Sequence, residues 1–235
     1  AKGFGVMDKI TSEPVQATSL FRIASVSKPI TSAAIMVMLE KDPVLLTSKV
    51  FGQNGILGTE YGTQPYSDYV EQITVEQLLT HAAGMTMRNN GNDPMYNTEH
   101  LADDHAKLIG WVLDSGTIVQ PGTEFAYSNF GYTVLGRIIE KLSGQSYESY
   151  VREKILKPIG ATGMKIGSGK WSEKSLYEVT YYDDNNAMTK QDTHIIPADT
   201  FIIVEEQMLK EAGSVHPWTW LAFLYILMDP VQSQI

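Results

Sequence analysis

Ser25 and Lys28 stand three residues apart in "FRIASVSKPIT", residues 21–31. A serine hydroxyl is a weak nucleophile near neutral pH and needs a neighbour to take its proton. Residues three apart on a helix share a face, which would set Lys28 one turn beyond Ser25. Lysine can be that base only where burial or nearby positive charge favours its neutral form. With 17 serines and 14 lysines in the chain, about one Ser-x-x-Lys pair arises by chance. On spacing alone, a solvated lysine is the favoured reading of the pair. Tyr127-Ser128-Asn129 is the second candidate. It follows Pro121-Gly122 and precedes a helical pattern, so it also reads as a turn in which Ser128 or Asn129 caps a helix.

The elements that must position these residues are legible in outline. Residues 3–7 and 15–24 carry strand-like side chains around the turn "DKITSEP" and predict a hairpin leading into Ser25. From Val26, the positions Val26, Ile30, Ala33, Ala34, Val37 and Met38 follow helical spacing, up to a stop before Pro43. Pro29 lacks an N–H, so the Ser25 carbonyl loses its intrahelical donor and the helix start is loosened there. Residues 51–68 are rich in glycine and turn formers and read as a loop. "TVEQLLTHAAGM" predicts a short helix opened by Thr74, with Gln77 completing a capping box. Leu101–Leu113 reads as helix. So does the stripe Tyr132, Leu135, Ile138, Ile139 and Leu142, with Gly144 as its stop. "YESYVREKILKPIG" is a further helix; residues 165–211 are mixed.

Composition excludes several classes. The 18 basic and 27 acidic residues give a net charge of −9, which argues against binding a phosphate backbone. There are no cysteines, so disulfides, thiolate catalysis and cysteine-ligated metals are out. "AKGFGVMDKI" lacks the pattern of a signal peptide. The apolar run Trp218–Met228 has eleven residues, too few to span a bilayer; it reads as a buried helix, with a membrane-surface helix or a surface for self-association or a partner as the alternatives. "HLADDHA" groups His100, Asp103, Asp104 and His105, yet its spacing is not that of a common zinc site. "GMKIGSGKW" has the wrong glycine spacing for a phosphate loop, with Trp171 where Ser or Thr is required. No metal or organic cofactor is expected.

Three longer strings occur in order: "LFRIASVSKPITSAAIM", "ITVEQLLTHAAGM" and "PGTEFAYSNFGYTVLGRIIEKLSGQSYESYV". Together they resemble the serine β-lactamase and penicillin-binding-protein superfamily, nearest to class C β-lactamases and the related esterases and D-aminopeptidases. The likeness covers roughly residues 3–164. It implies an α+β fold, an antiparallel sheet flanked by helices plus a mainly helical region. Residues 1–44 and about 175–235 would build the sheet region and about 45–174 the helical one, in one catalytic domain. It further implies that Ser25 attacks an amide or ester carbonyl of a β-lactam, D-amino-acid peptide or small ester to form an acyl-enzyme. Lys28 and Tyr127 would share the proton, and Asn129 would bind the substrate amide and help hold Lys28. The Ser25 N–H would supply half of an oxyanion hole. His81 matches a position that recurs beside the family's site; a histidine packed between helix and loop is the simpler reading of it. Family members are often periplasmic or secreted and some are intracellular, which leaves the compartment open.

The resemblance also implies a third motif, Lys/His-x-Gly, on a strand lining the site. After Asn129 there is no Lys-Thr-Gly, Lys-Ser-Gly or His-x-Gly. His216 and Lys170 are the other basic candidates for that place, and spacing supports neither. The expectation is therefore an incomplete sheet in this chain, by truncation or omitted residues, or covered by another chain. Beside the hydrolase stands a catalytically silent homologue with a binding or structural role.

Overall fold

A computed structural model describes residues 3–85, 93–94, 105–116, 118–167, 173–182 and, as backbone, 202–204. The expected hairpin forms around a bridge between Val6 and Pro14, closed by Met7 N–H to Glu13 O at 2.7 Å. Strand β1, Phe21–Arg22, then runs into a 3-10 turn at Ala24–Val26 and helix α1, Ser27–Leu39. The stop before Pro43 is as expected. The buried residues of α1 are Ser27, Lys28, Ile30, Thr31, Ala34, Ile35 and Met38; Ile35 joins them because residues four apart, as Thr31 and Ile35 are, fall on the same side. As Pro29 cannot serve the Ser25 carbonyl, that oxygen accepts from the Ser27 N–H instead.

Helix α2, Asp68–Gln72, lies at the edge of the stretch read as a loop, opened by Ser67. Helix α3, Val75–Leu79, carries the capping box foreseen at Thr74 and Gln77, with both reciprocal bonds present. Helix α4, His105–Asp114, is the described part of the helix expected over residues 101–113. Helix α5, Asn129–Ser143, begins with Ser128 as its cap and stops at Gly144, whose φ of 67° is the left-handed conformation that glycine adopts without penalty. Helix α6, Tyr147–Val151, continues into one turn of wider helix at Arg152–Leu156.

The core lies where α5 packs on α1, α3 and α6. Phe130, Val134, Leu135, Ile138 and Ile139 of α5 are all fully buried, each contributing roughly 1.5–3 kcal/mol of apolar burial. Two polar bonds lock α1 into this core: Thr31 Oγ1 with Tyr147 Oη at 2.7 Å, and Ser32 Oγ with Tyr132 Oη at 3.1 Å.

The sheet is small among the described residues. Strands β2, Lys165–Ile166, and β3, Ile202–Val204, join β1 in the order β1-β3-β2, antiparallel throughout. Arg22 pairs with Ile203 and Lys165 with Ile203. Strand β2 thus comes from the stretch 45–174 expected to be mainly helical. A segment at 177–180 flanks β1 through Leu20 N–H to Tyr177 O at 2.7 Å and Val179 N–H to Leu20 O at 3.1 Å. The apolar segment 218–228, His216 and Lys170 lie outside the described residues.

Candidate active site

Ser25 is exposed on the 3-10 turn between β1 and α1. Ala24, immediately before it, has φ of 45°, a conformation uncommon for a residue with a Cβ. Lys28 lies in the first turn of α1. Its side chain is buried, at 6% exposure, so it is not the solvated lysine that spacing alone allows. Its Nζ lies 3.4 Å from Ser25 Oγ and donates to Asn129 Oδ1 at 2.6 Å. A buried ammonium is costly unless partnered; here an amide oxygen and two ring faces surround it. The centroids of Tyr127 and Tyr132 are 4.8 and 5.6 Å from Nζ, within cation–π range.

These two tyrosines play different parts. Tyr132 Oη donates to Leu79 O at 3.1 Å and contacts Ser32, and burial pushes its hydroxyl above the ordinary value. Tyr127 is 48% exposed, and its Oη donates to Ser25 Oγ at 2.7 Å. The spacing of Tyr-x-Asn puts Tyr127 before the helix cap and Asn129 just after it, so both reach back across Ser128 toward α1. All four residues expected at the site thus come together, from segments about a hundred residues apart.

The scaffold behind Tyr127 is the "HAAGM" turn. Its carbonyls accept from the segment ahead of Tyr127: Val119 N–H to Gly84 O, Gly122 N–H to Ala82 O and Ala126 N–H to His81 O, at 2.8–3.1 Å. Gly84 is required here. Its φ is 70°, and a Cβ would stand 2.2 Å from Val119 O. His81 stacks on Tyr127 with centroids 4.5 Å apart, and on Tyr132 at 5.1 Å. Its Nδ1 accepts the Ser128 N–H at 3.1 Å. His81 is therefore packed between helix and loop, and the same packing touches Tyr127.

Burial, and then the positive charge of Lys28, hold His81 below its ordinary value of 6.5. The folded form then binds fewer protons than the unfolded one. The stabilisation from His81 is complete above pH 6.5 and is lost as the pH falls from there through the lowered folded value. Protonated Nδ1 would also face the Ser128 N–H as a second donor. The melting-temperature advantage of the wild type over His81→Asn should therefore shrink between about pH 7.5 and about pH 5; a constant difference would count against this.

Lys165-Ile166-Gly167 has the letters of a Lys-x-Gly motif, on β2. Its Lys165 Nζ donates to Ser175 Oγ at 2.9 Å, which ties it to the 173–182 segment. Of "HLADDHA", only His105 has a described side chain among the four candidate ligands, and its Nδ1 lies 2.9 Å from Arg137 Nη1. Sequence reasoning did not single out Asp93. Its carboxylate accepts the N–H groups of Asn129 and Phe130, the latter at 3.2 Å. No local pattern links residue 93 to residue 129.

Comparison with known proteins adds the lineage. The family model described as Beta-lactamase matches residues 1–198. Penicillin-binding protein 4* of Bacillus subtilis (strain 168) is 26% identical over 208 residues, covering 83% of this chain and 40% of that protein. The chain therefore spans about two-fifths of that relative's length. The octameric penicillin-binding protein homologue from Pyrococcus abyssi superposes with a TM-score of 0.69 at 25% identity, covering 97% of this chain and 49% of the other. A class C beta lactamase from Rhodobacter sphaeroides shares the fold, with a TM-score of 0.62, 21% identity, and 94% and 60% covered.

Proposed function

The chain belongs to the beta-lactamase family, and on that premise we propose that it carries the acylating half of a serine hydrolase, with Ser25 as nucleophile. The observation that supports this best is the convergence on Ser25 Oγ of Tyr127 Oη at 2.7 Å and Lys28 Nζ at 3.4 Å, with Asn129 bracing Lys28 from the far side.

In this reading Ser25 Oγ attacks the carbonyl carbon of an amide or ester. Its proton passes to the Tyr127–Lys28 pair in the state one proton short, phenolate beside ammonium or phenol beside amine, and the carbonyl π electrons move to oxygen, toward the Ser25 N–H. Collapse expels the amine or alkoxide, which takes the proton from the same pair. Lys28, as a cation against the Tyr127 ring, stabilises the phenolate that takes the Ser25 proton and that returns once the leaving group has been protonated. Water then repeats the sequence and releases the acid. Asn129, already bonded to Lys28, would offer its amide to the substrate. β-Lactams, D-amino-acid amides or peptides, and small esters all present the required carbonyl.

A fluorophosphonate, or benzylpenicillin, tests this directly. Intact-mass and peptide-level mass spectrometry should find one adduct, on Ser25. An unlabelled Ser25 under conditions that label other serine hydrolases would overturn the reading. One observation favours the rival, a catalytically silent homologue: among the described residues the one Lys-x-Gly after Asn129 engages Ser175 rather than the site. Turnover of a p-nitrophenyl ester that Ser25→Ala abolishes would sink that rival.

A further inference from the structure

Two side chains from distant segments hold the backbone that carries Tyr127 and Asn129. His81 Nδ1 accepts the Ser128 N–H at 3.1 Å. Asp93 accepts the next two donors, Asn129 N–H at Oδ2 and Phe130 N–H at Oδ1. Ser128 Oγ accepts the fourth, Gly131 N–H, at 3.0 Å. The first N–H groups of a helix have no partner within it. A capping serine supplies one acceptor, and on an exposed helix water serves the rest. Here Ser128, Asn129 and Phe130 are buried, so a carboxylate takes the place of water. Its charge also meets the positive end of the α5 dipole.

We propose that Asp93 is a positioning residue. By bridging two consecutive N–H groups it sets the rotation of the first turn of α5, and with it the placement of Tyr127 and Asn129. This rests on the catalytic reading above. The two residues flank Ser128, and each makes a short bond to the α1 side: Tyr127 Oη to Ser25, and Asn129 Oδ1 to Lys28. One small rotation of the turn disturbs both at once. A displacement of about 1 Å in such a constellation costs about a hundredfold in rate. Asparagine cannot replace Asp93 here, because its amide offers one acceptor and one donor where two N–H groups point in.

The test measures inactivation by a fluorophosphonate, separated into the maximal rate and the half-saturating concentration. Asp93→Asn should lower the maximal rate about a hundredfold with the half-saturating concentration nearly unchanged. Ile139→Val, later on α5, is the control for general loosening of the helix and should keep the rate. Asp93→Asn labelling as fast as wild type, or Ile139→Val losing as much, would overturn the proposal. Should Asp93→Asn fail to fold, Asp93→Glu, which keeps both acceptors, takes its place with a smaller expected loss. Loss of fold in both variants would make Asp93 a stability residue and overturn the positioning role. Crystal structures of wild type and variant read the Tyr127 Oη–Ser25 Oγ separation whatever the chemistry. Separation beyond hydrogen-bond reach supports the proposal, and an unchanged distance overturns it. If wild type itself is unlabelled at Ser25, the catalytic reading falls, and this distance still decides the role of Asp93.

Discussion

Lys28→Met should slow acylation of Ser25 by about a hundred- to ten-thousandfold, the range that general acid–base groups contribute, while leaving the fold in place. Methionine fills nearly the same volume, so the buried slot at 6% exposure is not emptied. Two stability effects oppose each other. Removing an ammonium from a desolvated place is favourable. Leaving Asn129 Oδ1 without its 2.6 Å donor costs about 1–3 kcal/mol. The net change should stay within about 2 kcal/mol, the scale of either term. Melting curves beside the rate of fluorophosphonate labelling make the check. A variant that melts like wild type and labels slowly assigns Lys28 to the chemistry. One that labels at the wild-type rate removes Lys28 from it.

The largest expected loss of stability lies beside the site. Glu178 is 1% exposed, and its Oε1 accepts from Arg22 Nε at 2.7 Å; Arg22 is 15% exposed. Arg22 ends β1, and its N–H donates to Tyr181 Oη at 2.7 Å. Glu178→Ala removes the carboxylate from a guanidinium in a poorly solvated place, at a cost of about 3–5 kcal/mol. For a chain of this size that is a fall in melting temperature of roughly 6–20 °C. The pair Arg22→Met with Glu178→Leu should recover most of it, because the desolvation of both charges disappears with them. If Glu178→Ala melts within about 2 °C of wild type, the ion pair contributes little, and the backbone bonds at Leu20 hold the strand by themselves.

Local signals in the sequence suffice where local physics decides, although they left the cap open between Ser128 and Asn129. The Thr74–Gln77 box, the Ser128 cap and the Gly144 stop all follow from unpaired helix-end groups, which a residue within four positions must satisfy. The stripe on α5 follows from its 3.6-residue period. Other features were not legible. Helix α2 starts at the last residue of the stretch that reads as loop and runs on through residues 69–72, where no element was expected; the Ser67 cap is a weak cue for five residues. Strand β2 is two residues long, and what makes it a strand is its pairing with β3. The Arg22–Glu178 pair joins residues 156 apart, and nothing local in either segment names its partner.

The site divides in the same way. The types Ser25, Lys28, Tyr127 and Asn129, their place beside helix starts, and the family they resemble were all readable from the chain alone. Spacing could not separate a buried lysine from a solvated one, because i,i+3 geometry is the same on either face of a helix. Packing α5 against α1 decided that. It buried Lys28 and brought Asn129 Oδ1 to it. It left Tyr127, rather than Tyr132, with a hydroxyl on Ser25. It also brought in Asp93 and His81 as acceptors for the motif's own backbone. Contacts within a turn are set by the covalent chain, whereas contacts across a hundred residues exist only once the core that closes the loop has formed.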